Sequence, residues 1–273
     1  MTGRHLLVFD LDGTLLGPDH RIPNQMRSRL LALSEAGVET TLATGRPYAA
    51  VGRFIDELEL RLPLILFNGA ALVEPDGGVL SLQRLPIGIA REALRLLGET
   101  SAANHLYMEP ADTHLVADRL GPAAKHVLEK DGMPTRRVDD LAAFLETSGA
   151  GPIKIFSIGV RDELEGIQER LRSVAPEATC VFSEYDMLEF LAPGVTKGRA
   201  LRTLCDMEGI DIEDVTAFGD NLNDLEMLRA AGHAVAMAAA PDAMIEAADV
   251  VTDDLSAYLD VRFGHLVGKD QAE

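Results

Sequence analysis

The sequence contains few cysteines, few prolines and no long apolar run, and each shortage excludes a class of protein. Only two cysteines, Cys180 and Cys205, occur in 273 residues, and they lack C-x-x-C spacing. This excludes a disulfide framework and a cysteine-based zinc site, and we expect both to be small core residues. The 13 prolines, the lack of low-complexity tracts and a hydrophobic content of 47% exclude a disordered chain.

Positive charge is also scarce. The chain has 25 Lys and Arg residues against 44 Asp and Glu residues, a formal net charge of −19. Such a surface repels polyanions, so we expect neither nucleic acid nor a membrane as a partner. Residues 1–5 lack the apolar run of a signal peptide, and no stretch reaches the roughly 20 apolar residues of a membrane span. We therefore expect a cytoplasmic protein, whose oligomeric state the sequence leaves open.

Both ends of the chain alternate short apolar runs with helical patterns. Helical spacing over 24–36 and 198–207, for example, separates runs that are short, apolar and rich in β-branched residues. This alternation predicts parallel βαβ units that join into one doubly wound sheet. The predicted strands are 5–9, 38–43, 64–67, 215–218, 234–237 and 249–251.

The middle of the chain has a different pattern, in which short strands and helices mix and a hairpin turns at 184–186. We expect an α/β protein with a Rossmann-like core of residues 1–81 and 194–273 and an inserted α+β cap of residues 82–193, with hinges at 81–86 and 191–194. The predicted cap strands are 104–108, 113–116, 153–158, 179–183 and 187–191. The predicted cap helices are 89–97, 121–130 and 163–174.

Polar residues follow the predicted core strands where each strand ends. Asp10 and Asp12 follow the first strand, Thr44 the second and Asp220 a late one. Ligand sites in open α/β sheets lie at the carboxyl ends of strands. In an extended chain, side chains two residues apart leave on the same face, so Asp10 and Asp12 are expected to act on one substrate. Gly13 then permits a tight exit turn.

Carboxylates that converge on one point repel each other and favour a bound cation. Asp220 adds a third oxygen donor to Asp10 and Asp12, and hard oxygen ligands favour Mg²⁺ shared with a phosphate. Asn223 and Asp224 lie three and four residues beyond Asp220, in the first turn of the next predicted helix, and should face the same pocket.

Donors for an anion are predicted beside this acidic cluster. Thr44 and the amide of Gly45 stand where a strand runs into a loop and helix, a place suited to phosphate oxygens. Lys197 is one of only five lysines and directly precedes a predicted helix. Its ammonium is suited to neutralising a phosphoryl oxygen. Each feature alone is common in turns and caps, and it is their concurrence at successive strand ends that indicates a site.

Five stretches of the chain together form a recognisable set. They are Phe9-Asp10-Leu11-Asp12-Gly13-Thr14-Leu15, Ala43-Thr44-Gly45-Arg46, Asn68-Gly69-Ala70, Pro193-Gly194-Val195-Thr196-Lys197-Gly198 and Gly219-Asp220-Asn221-Leu222-Asn223-Asp224. With these motifs the sequence resembles the haloacid dehalogenase superfamily of phosphohydrolases, and within it the Cof-type subclass IIB. They span nearly the whole predicted core, and the long insertion between them matches the place of that subclass's cap.

The resemblance implies a role for each residue of the set. Asp10 would attack phosphorus and form an aspartyl phosphate, and Asp12 would act as general acid and then general base. Mg²⁺ would be held by the Asp10 side chain, the Asp12 backbone carbonyl and Asp220. Thr44, Gly45, Lys197 and Asn223 would bind phosphate, and Asp224 would support the metal or Lys197.

The sequence thus predicts a Mg²⁺-dependent phosphatase of small phosphorylated metabolites, with sugar phosphates as the leading class. A phosphomutase or other phosphotransferase would use the same aspartyl phosphate. A phosphorylation-controlled binding module is a remote alternative, since such receiver domains also combine an acceptor Asp with a Thr and a Lys. In the insertion, polar or aromatic residues at predicted strand ends are candidates for substrate contacts: Tyr107, Glu109, His114 and Glu184.

Overall fold

The computed structural model describes residues 4–110, 114–119, 121, 122, 125, 129 and 132–267. Its strands are β1 (His5–Phe9), β2 (Val38–Leu42), β3 (Leu64–Leu66), β4 (Ala71–Val73), β5 (Val79–Leu82), β6 (Ala103–Tyr107), β7 (Leu115–Ala117), β8 (Thr135–Arg137), β9 (Lys154–Ile158), β10 (Thr179–Glu184), β11 (Met187–Leu191), β12 (Val215–Gly219), β13 (His233–Met237) and β14 (Val250–Thr252). Its α-helices are α1 (Asn24–Glu35), α2 (Tyr48–Leu58), α3 (Ile87–Leu97), α4 (Leu141–Ser148), α5 (Arg161–Val174), α6 (Lys197–Glu208), α7 (Leu225–Ala230), α8 (Asp242–Ala247) and α9 (Leu255–Phe263). None of the helices in these ranges is long and apolar enough to span a bilayer.

The core sheet has five parallel strands in the order β14-β13-β12-β1-β2. Every residue of strand β1 after His5 is apolar, as is typical of a strand whose two faces are both covered. Leu7 and Phe9 pack in one apolar cluster and Leu6 and Val8 in another, and all four are fully buried. The predicted doubly wound α/β core is confirmed.

The third predicted strand joins this sheet differently from the prediction. Strand β3 keeps one parallel bridge to the end of the core sheet, between Ala43 and Ile65. Its main pairing is antiparallel, with β4, and β5 completes a three-stranded sheet. Phe67 and Asn68 take positive φ values of 51° and 57°, which turns the chain back on itself directly after β3. A local apolar pattern cannot distinguish this turn from the start of another crossover.

A second, mixed sheet forms the cap, with strand order β10-β11-β9-β6-β7-β8. Neighbouring strands are antiparallel except β7 and β8. Ile155 packs with helices α3, α4 and α5, whereas the next residue, Phe156, packs in the cluster shared with the core. This alternation buries one face of the cap sheet under its own helices and turns the other towards the core sheet.

Most predicted cap elements are present, including the hairpin of β10 and β11 that turns at 184–186. The sequence reasoning missed β8, α4 and the β4–β5 hairpin. The predicted helix at 121–130 falls largely outside the described residues, as does position 113 at the start of a predicted strand. The cap limits at 82 and 193 remain a prediction, and residue 82 itself ends β5.

Neither cysteine forms a disulfide. Cys205 lies in α6 and is buried in the core, whereas Cys180 is only half-buried in the cap. Burial raises the pKa of Cys205 to about 11 and that of Cys180 to about 12. Both thiols are therefore protonated and poor nucleophiles at neutral pH.

Candidate active site

The carboxyl ends of the core strands and the inner face of the cap sheet enclose a cavity of about 670 Å³. Six residues predicted from the sequence line it: Asp10, Asp12, Thr44, Gly45, Asp220 and Asn223. The two others, Lys197 and Asp224, lie buried beneath its floor and bond to the residues above them. The structure therefore brings all eight predicted residues to one place.

Lys197 binds two carboxylates under the cavity. Its Nζ lies 2.6 Å from Asp10 Oδ1 and 2.6 Å from Asp224 Oδ1, and its side chain is 0% exposed. Burial alone would lower the pKa of Lys197, but the two carboxylates outweigh it and hold that pKa above its ordinary value. Lys197 begins α6, which approaches α7 so closely that a Cβ on Gly198 would lie 2.0 Å from the Glu226 carbonyl oxygen.

Asp10, Asp220 and Asp224 form an acidic cluster in which one oxygen of each lies within 4.8 Å of the others. Burial raises the pKa of Asp10 against the opposing charge of Lys197, and the neighbouring carboxylates raise it further. Burial and then Asp224 raise the pKa of Asp220 to about 6, although Thr14 Oγ1 donates to its Oδ1 at 2.9 Å. Three crowded carboxylates with a single buried lysine fit a divalent cation.

The turn after β1 is tighter than the extended chain assumed from the sequence. Residues Leu11–Leu15 form a turn that the Leu16 amide closes by donating to the Leu11 carbonyl at 2.9 Å, and Gly13 within it has a φ of 88°. A Cβ on Gly13 would lie 2.3 Å from Asp220 Oδ2, so only glycine allows the loop to approach that carboxylate. Despite this turn, both Asp10 and Asp12 reach the cavity.

The Asp12 side chain does not join the acidic cluster. Its two oxygens accept from Arg46, at 2.8 Å from Nε and 2.5 Å from Nη2. The ion pair with Arg46 therefore holds the Asp12 side chain apart from the acidic cluster of Asp10, Asp220 and Asp224. The metal contact that the resemblance assigns to the Asp12 backbone carbonyl stays a prediction.

The phosphate-binding candidates surround Asp10 from two loops. Thr44 Oγ1 accepts from the amide of Arg46 at 3.2 Å, and among the described residues no acceptor for its hydroxyl hydrogen is found. Asn223 Nδ2 donates to Asn68 Oδ1 at 3.1 Å, and Asn223 Oδ1 is buried with no hydrogen-bond partner in the described part of the chain. Gly45 lies beside Thr44 on the cavity wall.

Two of the four cap candidates, Tyr107 and Glu184, line the cavity. Glu109 instead pairs with Arg84 at 2.5 Å, and His114 is not among the lining residues described. The sequence reasoning missed two buried charged residues on the same wall, Lys154 and Glu189. The available signal was a charged residue inside an otherwise apolar strand, at position 189 in β11.

Comparison with known proteins identifies the family. A model of the haloacid dehalogenase-like hydrolases matches residues 7–257. The chain belongs to this family. The family and the fold predicted from the motifs are thereby confirmed, and the chain is a hydrolase of this family.

Individual relatives support this assignment. The HMP-PP phosphatase of Serratia proteamaculans (strain 568) is 34% identical over 233 residues, which cover 85% of this chain and 83% of that protein. A Thermotoga maritima protein of known crystal structure is 27% identical, with a TM-score of 0.78 over 95% of this chain and 97% of that one. A HAD subclass IIB sugar phosphatase has a TM-score of 0.80 at 24% identity, covering 95% and 99% of the two chains, and shows the shared fold.

Proposed function

We propose that this chain is a Mg²⁺-dependent phosphatase that hydrolyses a small phosphorylated metabolite through an aspartyl phosphate on Asp10. The observation that carries the proposal is the position of Asp10. Its carboxylate lies on the cavity floor, held at 2.6 Å by a buried lysine and crowded by two further carboxylates. A carboxylate in this place is oriented, shielded from water on one side and open to a ligand on the other.

The proposed reaction has two steps. Asp10 attacks phosphorus, the bond from phosphorus to the leaving oxygen breaks, and Asp12 donates its proton to that oxygen. A water molecule then attacks phosphorus, Asp12 accepts its proton, and inorganic phosphate leaves with Asp10 regenerated. Mg²⁺ would be held by Asp10, Asp220 and the Asp12 carbonyl, and it would supply the positive charge that a phosphate dianion needs in a chain of net charge −19.

The phosphoryl oxygens are bound by groups that surround Asp10. The Thr44 hydroxyl, the Gly45 amide and the Asn223 side-chain amide are the proposed donors, and Lys197 balances charge from below. Phosphoryl transfer depends mainly on positioning and charge neutralisation, which such a constellation supplies.

The leaving group would contact the cap. Tyr107, Phe156 and Met187 offer an apolar wall, and Ser183 and Glu184 add polar groups along one side. A wall of this kind suits a ligand with one apolar face and several hydroxyl groups, so a sugar phosphate is the leading substrate class. HMP-PP is a second candidate, because HMP-PP phosphatases are 32–34% identical to this chain over more than four fifths of its length.

Release of inorganic phosphate from a panel that contains sugar phosphates and HMP-PP tests the proposal. Wild-type enzyme with Mg²⁺ should turn over at least one compound many times per molecule, and Asp10→Asn should turn over none. Transfer of the phosphoryl group to a second sugar, with no net phosphate release, would favour the phosphomutase instead. Phosphorylation of the protein once per molecule, without further turnover, would favour the phosphorylation-controlled binding module.

A further inference from the structure

A buried ion pair of the cap lies against the core at the edge of the cavity. Lys154 on β9 and Glu189 on β11 are joined by 2.9 Å between Nζ and Oε1, and their side chains are 4% and 3% exposed. Ser183 Oγ also donates to Glu189 Oε1, at 2.8 Å. The Lys154 ammonium lies over the rings of Tyr107 and Phe156, 5.3 and 5.6 Å from their centroids.

Both members of this pair contact the core directly. Lys154 Nζ donates to the Gly45 carbonyl oxygen at 2.9 Å, and Glu189 Oε2 accepts from Asn68 Nδ2 at 2.6 Å. Asn68 in turn accepts, through its Oδ1, from Asn223 Nδ2 at 3.1 Å. The cap pair is thus connected to two of the proposed phosphate-binding residues, to Gly45 in one contact and to Asn223 in two.

These contacts determine how the donors are oriented. A hydrogen bond to the Gly45 carbonyl restrains the Gly45–Arg46 peptide plane, which adjoins the Thr44–Gly45 plane that carries the proposed N–H donor. The Asn68 contact decides which way the Asn223 amide turns. Asn223 Nδ2 can donate to Asn68 only if the side-chain oxygen of Asn68 faces it. Glu189 holds Asn68 in that rotation by accepting a hydrogen bond from Asn68 Nδ2.

A merely stabilising role would not require charge at these positions. Removing two charges from water is costly, and well-packed apolar residues often replace a buried ion pair without loss of stability. The rings of Tyr107 and Phe156 beside Lys154 show that this wall accommodates large apolar groups. What apolar side chains cannot supply is the pair of hydrogen bonds that crosses to Gly45 and Asn68.

We propose that Lys154 and Glu189 are positioning residues, which orient the Gly45 loop and the Asn68–Asn223 amide pair for phosphate when the cap lies against the core. The inference rests on the proposed function, since it needs phosphate to bind at Gly45 and Asn223. It assigns to the cap a part in binding the phosphoryl group, in addition to contact with the leaving group.

The test measures the dissociation constant of inorganic phosphate by calorimetry in Mg²⁺ buffer. Phosphate carries no leaving group, so any effect on its binding reflects the phosphoryl site alone. Lys154→Met and Glu189→Gln should each weaken phosphate binding by about 10-fold or more, the usual loss when an outer partner of a binding residue is removed. Lys154→Arg, which keeps a charged donor, should recover most of the affinity.

Two further variants separate positioning from stability. Ser157→Ala is the matched control, because Ser157 lies on the same strand and is buried, yet it bonds to Asn104 inside the cap. It should lower the melting temperature without changing phosphate affinity. The double variant Lys154→Met/Glu189→Leu leaves no unpaired buried charge, so it should melt near the wild type while its phosphate affinity stays low.

Wild-type affinity in the double variant would overturn the inference, whether or not the single variants fold. The proposed function fails separately: it falls if wild-type enzyme releases no phosphate from the metabolite panel or if Asp10→Asn continues to do so. If the wild type turns over normally and the double variant keeps the phosphate affinity of the wild type, only the positioning role of Lys154 and Glu189 is contradicted.

Discussion

Arg46 donates from two nitrogens to the two carboxylate oxygens of Asp12, at 2.8 and 2.5 Å. The Arg46 side chain is 3% exposed and is therefore fixed by its surroundings, whereas Asp12 is 28% exposed at the cavity. A bidentate pair fixes the plane of the carboxylate as well as its distance. Arg46 thus orients Asp12 in its ionised form, and for the first proposed step one Asp12 oxygen must carry a proton while the other keeps its contact with Arg46.

The first prediction is that Arg46→Lys impairs proton transfer. A lysine keeps the charge but cannot form the planar two-point contact, so Asp12 should lose its fixed orientation. We expect turnover of an alkyl phosphate to fall by about 10- to 100-fold, as small displacements of a reacting group commonly cause. p-Nitrophenyl phosphate, whose leaving group needs no proton, should be affected much less. Equal losses for both substrates would show that Arg46 acts elsewhere.

The second prediction concerns Asp12 itself. Asp12→Asn should slow transfer from a sugar phosphate far more than from p-nitrophenyl phosphate, because only the sugar alkoxide needs a proton. Water activation is lost as well, so the aryl substrate should give a burst of one nitrophenolate per active site followed by slow release. Rapid-mixing kinetics on both substrates measure this. Without a burst, and with equal losses, the acid and base role of Asp12 would be wrong.

The third prediction is that Mg²⁺ binds at the acidic cluster. Chelation with EDTA should abolish phosphate release, and Mg²⁺ should restore it. Since the cation relieves repulsion between Asp10 and Asp220, it should also raise the melting temperature of the wild type. Asp220→Asn, which can still accept from Thr14, is the matched variant and should lose most of that rise. An equal rise in both proteins would place the ion elsewhere.

The fourth prediction uses His105, which is fully buried on β6 with its ring stacked on Phe156 at 4.6 Å. Burial lowers its pKa from 6.5 to about 4. Between pH 6.5 and 4 the His105 imidazole is protonated in the unfolded chain but not in the folded chain. The free energy of unfolding therefore falls as the pH drops from 6.5 to 4. The lost contribution is about 3 kcal/mol, at roughly 1.4 kcal/mol for each pKa unit.

Denaturant unfolding across this pH range checks the effect of His105. His105→Phe should show a shallower dependence of unfolding free energy on pH than the wild type. His265→Gln, at an exposed histidine, is the control and should follow the wild-type curve. A curve for His105→Phe that parallels the wild type would assign the pH dependence to other groups.

The parts of the site that could be predicted are those that local sequence patterns indicate. Asp10, Thr44 and Asp220 each follow a strand that its own apolar run reveals, and parallel strands bring their carboxyl ends to one edge of a sheet. The reversal after β3 was not predicted, because Asn68 and Gly69 are equally compatible with a loop that leads to another helix.

Contacts between distant segments were also beyond the sequence. Lys154 and Glu189 are 35 residues apart, on neighbouring strands whose register no local pattern reveals. The pairing of Arg46 with Asp12 spans 34 residues. Both pairs depend on how the sheets and loops pack against each other, and local sequence propensity does not reveal that packing.

The alternation of the cap strands separates residues that face the cavity from residues that pack against the cap helices. Tyr107, Phe156 and Met187 line the cavity, and the residues that alternate with them hold the cap helices in place. Mutations on the cavity face can therefore change the preferred metabolite while the helix-facing half of each strand continues to fold the cap. The positions that contact the substrate are therefore separable from those that support the cap, and a library limited to Tyr107, Phe156 and Met187 would be a direct route to altered substrate choice.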